Sequence, residues 1–331
     1  MRLRNLVSIL LLGLLACHKT EEAGESPSAS TRDGGQTPST SESSTKKLRA
    51  KNLRAIWGSG PTDVWAAGDQ GTIAHFDGKA WAPSPSGTQE NLTSLTGTGP
   101  ADVYAVGEKG AILHWDGAAW KQVYTEGNAT LFHLWASGPA DVWAVGIDNS
   151  DDGGTMRHWN GTKWESQGIP GSSSLWGVGG SGPTDVWMVG TGSKGDGDVL
   201  HGDGKHFDAI GYKGPSARAV WCARPDDAWV APYQGALQHW NGTAWTQAAT
   251  PDGPWFRIGG SGPDDVWAVG ADGLTAHLHG GAWTTPPSGI KEIVWSVWSA
   301  SPTAAWAVGN GGTVIVWDGK AWAADDRLTK Q

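Results

Sequence analysis

From about residue 53 onward the chain repeats one pattern of apolar and polar positions seven times. The stretch 91–120, NLTSLTGTGPADVYAVGEKGAILHWDGAAW, shows it. A Gly-Pro-x-Asp turn is followed by an apolar run, Val103–Val106, and a Gly-containing turn, Glu108–Gly110, by a second, Ala111–Trp115. Asp116-Gly117 then opens onto Trp120. The runs are too short for helices, none has helical period, and all are bounded by turn residues, which predicts strands. Each copy codes four. The first carries an aliphatic residue five before the turn proline: Ile56, Leu95, Leu134, Val178, Val220, Ile258 and Val297. The second carries Trp65, Tyr104, Trp143, Trp187, Trp229, Trp267 or Trp306. The third ends near a His-Trp pair, and the fourth carries an aromatic from Trp81 to Trp322. Asp-Gly, Asn-Gly or Gly-Gly between strands three and four predicts two-residue hairpins.

Four-stranded repeats of about 40 residues are propeller blades. The prediction is an all-β fold, a seven-bladed β-propeller of four-stranded antiparallel blades over 53–331. The last copy supplies its own fourth strand near Trp322, so plain end-to-end closure is expected. A length of 331 residues would otherwise suggest two domains. Composition agrees with many small sheets: 50 Gly supply turns and 23 Trp supply buried area. Each indole buries ~150–250 Å², roughly 4–6 kcal/mol gross at ~25 cal/mol per Å².

The N-terminus has a different pattern. Arg2 and Arg4 precede an apolar run, Leu6–Leu15, too short to span a bilayer. The sequence Leu14-Leu15-Ala16-Cys17 resembles the bacterial lipobox. That resemblance implies a lipoprotein signal peptide at 1–16, cleavage before Cys17, and lipid on its thiol. Several acyl chains anchor a protein stably where one does not. Residues 17–52, rich in Ser, Thr, Glu, Gly and Pro, read as the lipidated cysteine and a disordered tether. His18 rather than Asp after the cysteine favours the outer membrane of a bacterial cell envelope. Cys222, the other cysteine, stands where other copies have Gly, Ala or Ser, and reads as a buried small residue. A net charge of −9 with scattered basic residues argues against nucleic acid as a partner.

The repeat, aliphatic–Gly…Val-Trp-x-Val-Gly…Gly-x-Ile…Asp-Gly-x-x-Trp, resembles the propeller repeats of tectonin-type lectins over about 53–322. It is also similar to the BNR (Asp-box) repeats of sialidases and of photosystem II assembly factors. In an Asp-box one residue separates Asp from Gly, whereas here they are adjacent, as at Asp116-Gly117. The resemblance implies a propeller and a binding role, with glycan as the sharper form.

Six blades place a histidine at one point of strand three, from His75 to His277, and blade seven has Val316. Packed sheets lie ~10 Å apart, so these cannot share an ion whose ligands lie ~2 Å away. Each is expected to bond a neighbouring turn or pack on a Trp. The turn aspartates, such as Asp63, Asp141 and Asp265, are expected to accept backbone N–H groups. In a meander alternate turns share an end. The uniform turns therefore occupy one face and the variable loops the other, where function is expected. On that face two acidic loops, with Asp148, Asn149, Asp151 and Asp152 in blade three and Asp196 and Asp198 in blade four, could surround Ca²⁺. No other cofactor is implied. A solvated loop is the competing reading.

A second group lies at the start of strand one, near the channel: Arg54, Phe132, His133, Trp176, Arg218, Trp255, Arg257 and Trp295. Aromatic faces beside guanidinium groups suit sugar rings or anions; inter-blade packing is the alternative. The expected function is a non-catalytic, monomeric envelope lipoprotein that binds a glycan or an envelope protein through its variable face. The alternative is a sialidase-like glycoside hydrolase, which needs an arginine cluster and a tyrosine such as Tyr212 or Tyr233 beside a carboxylate.

Overall fold

The structure, a computed structural model, describes residues 51–125, 127–150, 153–169, 171–325 and 327. The expected signal peptide 1–16, Cys17 and the expected tether up to residue 50 lie outside the described residues, as do Asp151 and Asp152. The described chain forms seven four-stranded antiparallel sheets, each a simple meander in chain order. Their innermost strands are Leu53–Gly60, Leu92–Gly99, Ala129–Gly138, Ser172–Gly182, Ala217–Arg224, Trp255–Gly262 and Val294–Ser301. Each hydrophobic core is shared between two neighbouring blades, and there are seven such cores. A blade therefore buries both faces only when flanked on both sides.

Closure follows from the same rule. The core containing Leu53, Phe76 and Trp81 of blade one also contains Trp306, Val308 and Val314 of blade seven. Blade seven pairs its own fourth strand, Trp322–Ala324, with Val314–Trp317. The ring thus closes end to end, without strand exchange. Beyond the last strand, Asp325 accepts the Trp81 indole N–H at 2.9 Å. The Arg327 guanidinium lies 4.2 Å over Phe76.

Inside six of the seven blades the polar positions form one unit. In blade six Asp265 accepts from His277 Nε2 at 2.8 Å and from Ser261 Oγ at 2.6 Å. His277 stacks on Trp267 with ring centroids 3.8 Å apart. The same histidine–aspartate bond recurs from His75–Asp63 to His239–Asp227, at 2.5–2.9 Å. The histidines therefore bond a turn and pack on an aromatic, as expected. The aspartates do not chiefly cap backbone N–H groups, which corrects that expectation. Strand pairing brings His75 opposite Trp65 and within reach of the turn, so the imidazole reaches Asp63 first. Blade seven lacks both partners, with Ala304 and Val316 in their places.

The hairpins between strands three and four also differ from expectation. Phe76 pairs with Trp81, so the loop holds four residues, 77–80. Asp77 Oδ1 accepts the N–H groups of Lys79 and Ala80 at 2.9 Å each, and only Gly78 is left-handed, at φ +89°. The aspartate shapes the turn through its side chain instead of occupying positive φ. Blade six alone has a two-residue turn, where Gly280 and Gly281 take φ +64° and +75° between paired His279 and Ala282.

Candidate functional site

The innermost strands skip one residue near their start. Leu53 pairs with Gly68 and Ala55 with Ala67, leaving Arg54 as a bulge. A bulge re-aims its side chain out of the sheet's alternation. All seven blades repeat it, and the bulged residues are Arg54, Thr93, Phe132, Trp176, Arg218, Phe256 and Trp295. Because Gly68 precedes the loop to strand three, the bulges lie on the variable-loop face.

These residues form a collar of successive contacts. Phe132 stacks on Trp176 with centroids 4.3 Å apart. The Arg218 guanidinium lies 3.9 Å from the Trp176 ring and 4.7 Å from Tyr233. Phe256 packs 4.8 Å from Trp295, which faces the Arg54 guanidinium at 5.5 Å. Arg54 is paired with Asp69 at 2.5 Å. Arg218 has no carboxylate partner among the described residues, and its Nε is buried without a partner there. Burial brings its pKa down to about 10, so it stays charged at neutral pH.

One residue further along, the chain turns to the ring's centre. A cavity of about 170 Å³ is enclosed by the first strands of all seven blades, and Ser94, His133, Arg257 and Ser296 line it. Burial first, and the nearby Arg257 charge second, push the His133 pKa well below the imidazole range. His133 is therefore neutral. Its Nδ1 accepts the Val178 N–H at 3.1 Å, so its proton sits on Nε2. Trp57, Trp135, Trp221 and Trp298 also line the cavity. Each reaches the next blade's glycine: a Cβ on Gly97 would meet Trp57 at 2.7 Å, and one on Gly180 would meet Trp135 at 2.8 Å.

Of the residues singled out from sequence, Arg54, Phe132, Trp176, Arg218 and Trp295 are brought together on the collar. His133 and Arg257 lie in the cavity instead. Trp255 belongs to neither: it is fully buried in the core between blades five and six, and its indole donates to the Gly235 carbonyl at 3.1 Å. It occupies the leucine position of Leu53, one place before the bulge, so Phe256 is the collar residue. The sequence pattern does not single out Phe256, Ser94, Ser296 or the four cavity tryptophans, and it points to Tyr233 only as a hydrolase tyrosine. The register of the repeat was their only signal, since a bulge moves the inward face by one residue.

The described residues of the acidic loops bond locally. Asp148 accepts the Ser150 N–H at 2.8 Å, Asn149 donates to Asn128, and Asp198 accepts from Ser172 Oγ. Asp196 Oδ1 lies over Gly192 of its own loop. No group of three or more His, Cys, Asp or Glu suited to a metal exists among the described residues. Asp148, Asn149, Asp196 and Asp198 are thus each engaged within their own blade or loop, while Asp151 and Asp152 of the expected Ca²⁺ set lie outside the described residues. Tyr212 donates to the Pro215 carbonyl at 3.2 Å, and Tyr233 lies under Arg218. Neither bonds a carboxylate among the described residues.

No protein-family model matches the chain, and no curated protein does. Solved structures do. A YCF48 bound to a D1 peptide is 15% identical, with TM-score 0.63, over 81% of this chain and 92% of that one. The WD40 β-propeller domain of Doa1 is 12% identical, with TM-score 0.66, over 84% and 95%. A catalytically inactive virginiamycin B lyase from Staphylococcus aureus with quinupristin is 13% identical, with TM-score 0.66, over 80% and 94%. These likenesses establish the fold, a β-propeller.

Proposed function

We propose that the chain is a non-catalytic binding or scaffold module of a bacterial cell envelope, which takes a polypeptide or a glycan on its collar face. The observation that carries this reading is the collar. Bulges in all seven blades aim side chains to one rim, and six of the seven are aromatic or arginine. Partly exposed rings beside guanidinium groups bind sugar rings, aromatic side chains and carboxylates alike. The lipobox-like Leu14–Cys17 supports an acyl anchor on Cys17, probed by the mass of the protein extracted from membranes. The hydrolase reading has less support. Glycoside hydrolysis uses paired carboxylates, or a tyrosine nucleophile in sialidases, and neither Asp nor Glu lines the cavity.

Glycan and peptide arrays probed with the parent and with Trp176→Ala/Arg218→Ala test the reading. Array features bound by the parent are expected to be lost by the double variant. Equal binding by both would remove the collar from the account.

A further inference from the structure

The central cavity has a chemistry that the collar does not use. Ser296 Oγ accepts the Ile56 N–H at 3.4 Å, Ser94 Oγ accepts the Leu134 N–H at 3.3 Å, and His133 Nδ1 accepts the Val178 N–H. These three are one device: the residue after a bulge takes a peptide N–H from the next blade's first strand. Using the lone pairs leaves the protons. The two serine hydroxyls are 2% and 4% exposed, and neither proton has an acceptor among the described residues. His133 Nε2–H is in the same position. The Cys222 thiol, also on the wall, is already spent on Asp185 Oδ2 and the Arg224 carbonyl.

Arg257 fills the equivalent position in blade six and can only donate. Its Nε is shielded from solvent and unpartnered, and no ion pair compensates its charge among the described residues. Burial brings it down to about 10, so it remains a cation at neutral pH. A partly buried cation without a counter-charge is stabilised by any anion that can reach it. Four donors, one of them charged, thus face a space with no carboxylate on its walls.

We propose that the central cavity is a binding site for one small oxyanion group, a carboxylate or a phosphate- or sulfate-type anion, held on the Arg257 guanidinium with Ser94, Ser296 and His133 as further donors. A guanidinium offers paired N–H groups that match two oxygens of such an anion. The size agrees: at about 170 Å³ the cavity is smaller than the ~300–1,000 Å³ sites of drug-sized organic ligands and suits a small anionic group. It requires nothing to be bound at the collar, so the two ideas stand or fall separately. The anion could be free in solution or be the carboxylate of a larger ligand.

The test is thermal unfolding of the full-length protein in potassium sulfate, phosphate, acetate or N-acetylglycine, against potassium chloride at equal ionic strength. The parent is expected to show a saturable rise in Tm of about 5 °C at an anion concentration a hundredfold above its Kd. Arg257→Met is expected to lose that saturable rise and to keep only the general, non-saturating effect of excluded salts. Without anion, Arg257→Met is expected to be at least as stable as the parent, because it removes the unpaired charge. Saturation by sulfate alone identifies a free anion. Tighter binding of N-acetylglycine, with displacement of sulfate, identifies the carboxylate of a larger ligand; both outcomes uphold the site. An identical response in parent and Arg257→Met overturns it. Should Arg257→Met not fold, crystals of the parent soaked in selenate decide: an anomalous peak beside Arg257 supports the proposal, and none there rejects it.

Discussion

Asp265 offers the sharpest test of what holds a blade together. It is 2% exposed and accepts three hydrogen bonds, from His277 Nε2, from Ser261 Oγ and, across the blade boundary, from Ser299 Oγ at 2.6 Å. Alanine there strands three donors. Ser261 is exposed and turns to water, while His277 and Ser299 are 4% and 6% exposed and cannot. At about 1–3 kcal/mol for each stranded buried group the loss is roughly 3–5 kcal/mol, allowing for Ser299's second acceptor, the Ser301 carbonyl. Blade seven shows how to relieve it, since Ala304 and Val316 replace the pair together. Asp265→Ala/His277→Val copies that blade and removes the stranded imidazole. The double variant is therefore expected to be about 1–3 kcal/mol more stable than Asp265→Ala alone. Guanidinium denaturation of the four proteins of the cycle, at constant m-value, measures this. A double variant no more stable than Asp265→Ala would show that the two residues act independently, and the blade unit would be a misreading.

Three further outcomes follow from the geometry. Burial alone would raise the Asp185 carboxyl, but hydrogen bonds from His201, Ser181 and Cys222 outweigh it and hold the group at about 2 against an ordinary 3.8. A depressed folded value means its stabilisation, about 2 kcal/mol, is complete above about pH 4 and is lost as pH falls through 2; in acid titrations Asp185→Asn should flatten that segment, and an unchanged curve would refute the assignment. Gly180→Ala would place a Cβ 2.1 Å from the Asp185 carbonyl oxygen and 2.8 Å from the Trp135 ring, whereas Gly182→Ala meets nothing within 4 Å; denaturation should show a loss of at least 1–3 kcal/mol for the first and within about 0.5 kcal/mol for the second. Trp255→Ala should cost about 3–5 kcal/mol as a core truncation, and Trp295→Ala, with its ring partly exposed on the collar, less than that; equal losses would put both in the core.

Most of the architecture was legible because the repeat states it seven times over. Blade number, strand order, closure and the inward aliphatic positions all follow from spacing, and the buried Ile56, Leu134 and Val178 bear them out. What the spacing hid was register. A bulge near the start of each first strand shifts the inward face by one residue, so Trp255 read as a rim aromatic although it sits at a core position, and Phe256 was passed over. Local chemistry was misjudged where a long-range partner outbid a short-range one: Asp63 takes the His75 imidazole in preference to turn N–H groups. In the acidic loops, composition does not reveal which neighbour each side chain takes. Asp148 and Asp198 are close in the pattern of the chain, yet each is committed to a different neighbour, Ser150 and Ser172. The donor-only cavity was invisible for a related reason, since Ser94, His133, Arg257 and Ser296 come from four blades and share only their place after a bulge.

The central claim is that the collar face, and not the opposite face with its uniform hairpins, receives the ligand. Calorimetric titration of an array-identified glycan or peptide against four single variants tests it directly. Trp176→Ala and Arg218→Ala should each weaken binding at least tenfold, about 1.4 kcal/mol, as central aromatic and arginine anchors do. Lys79→Ala and Lys205→Ala, exposed on the hairpin face, should leave affinity within a factor of two. The reverse pattern, with the lysine variants impaired and the collar variants intact, would contradict the account.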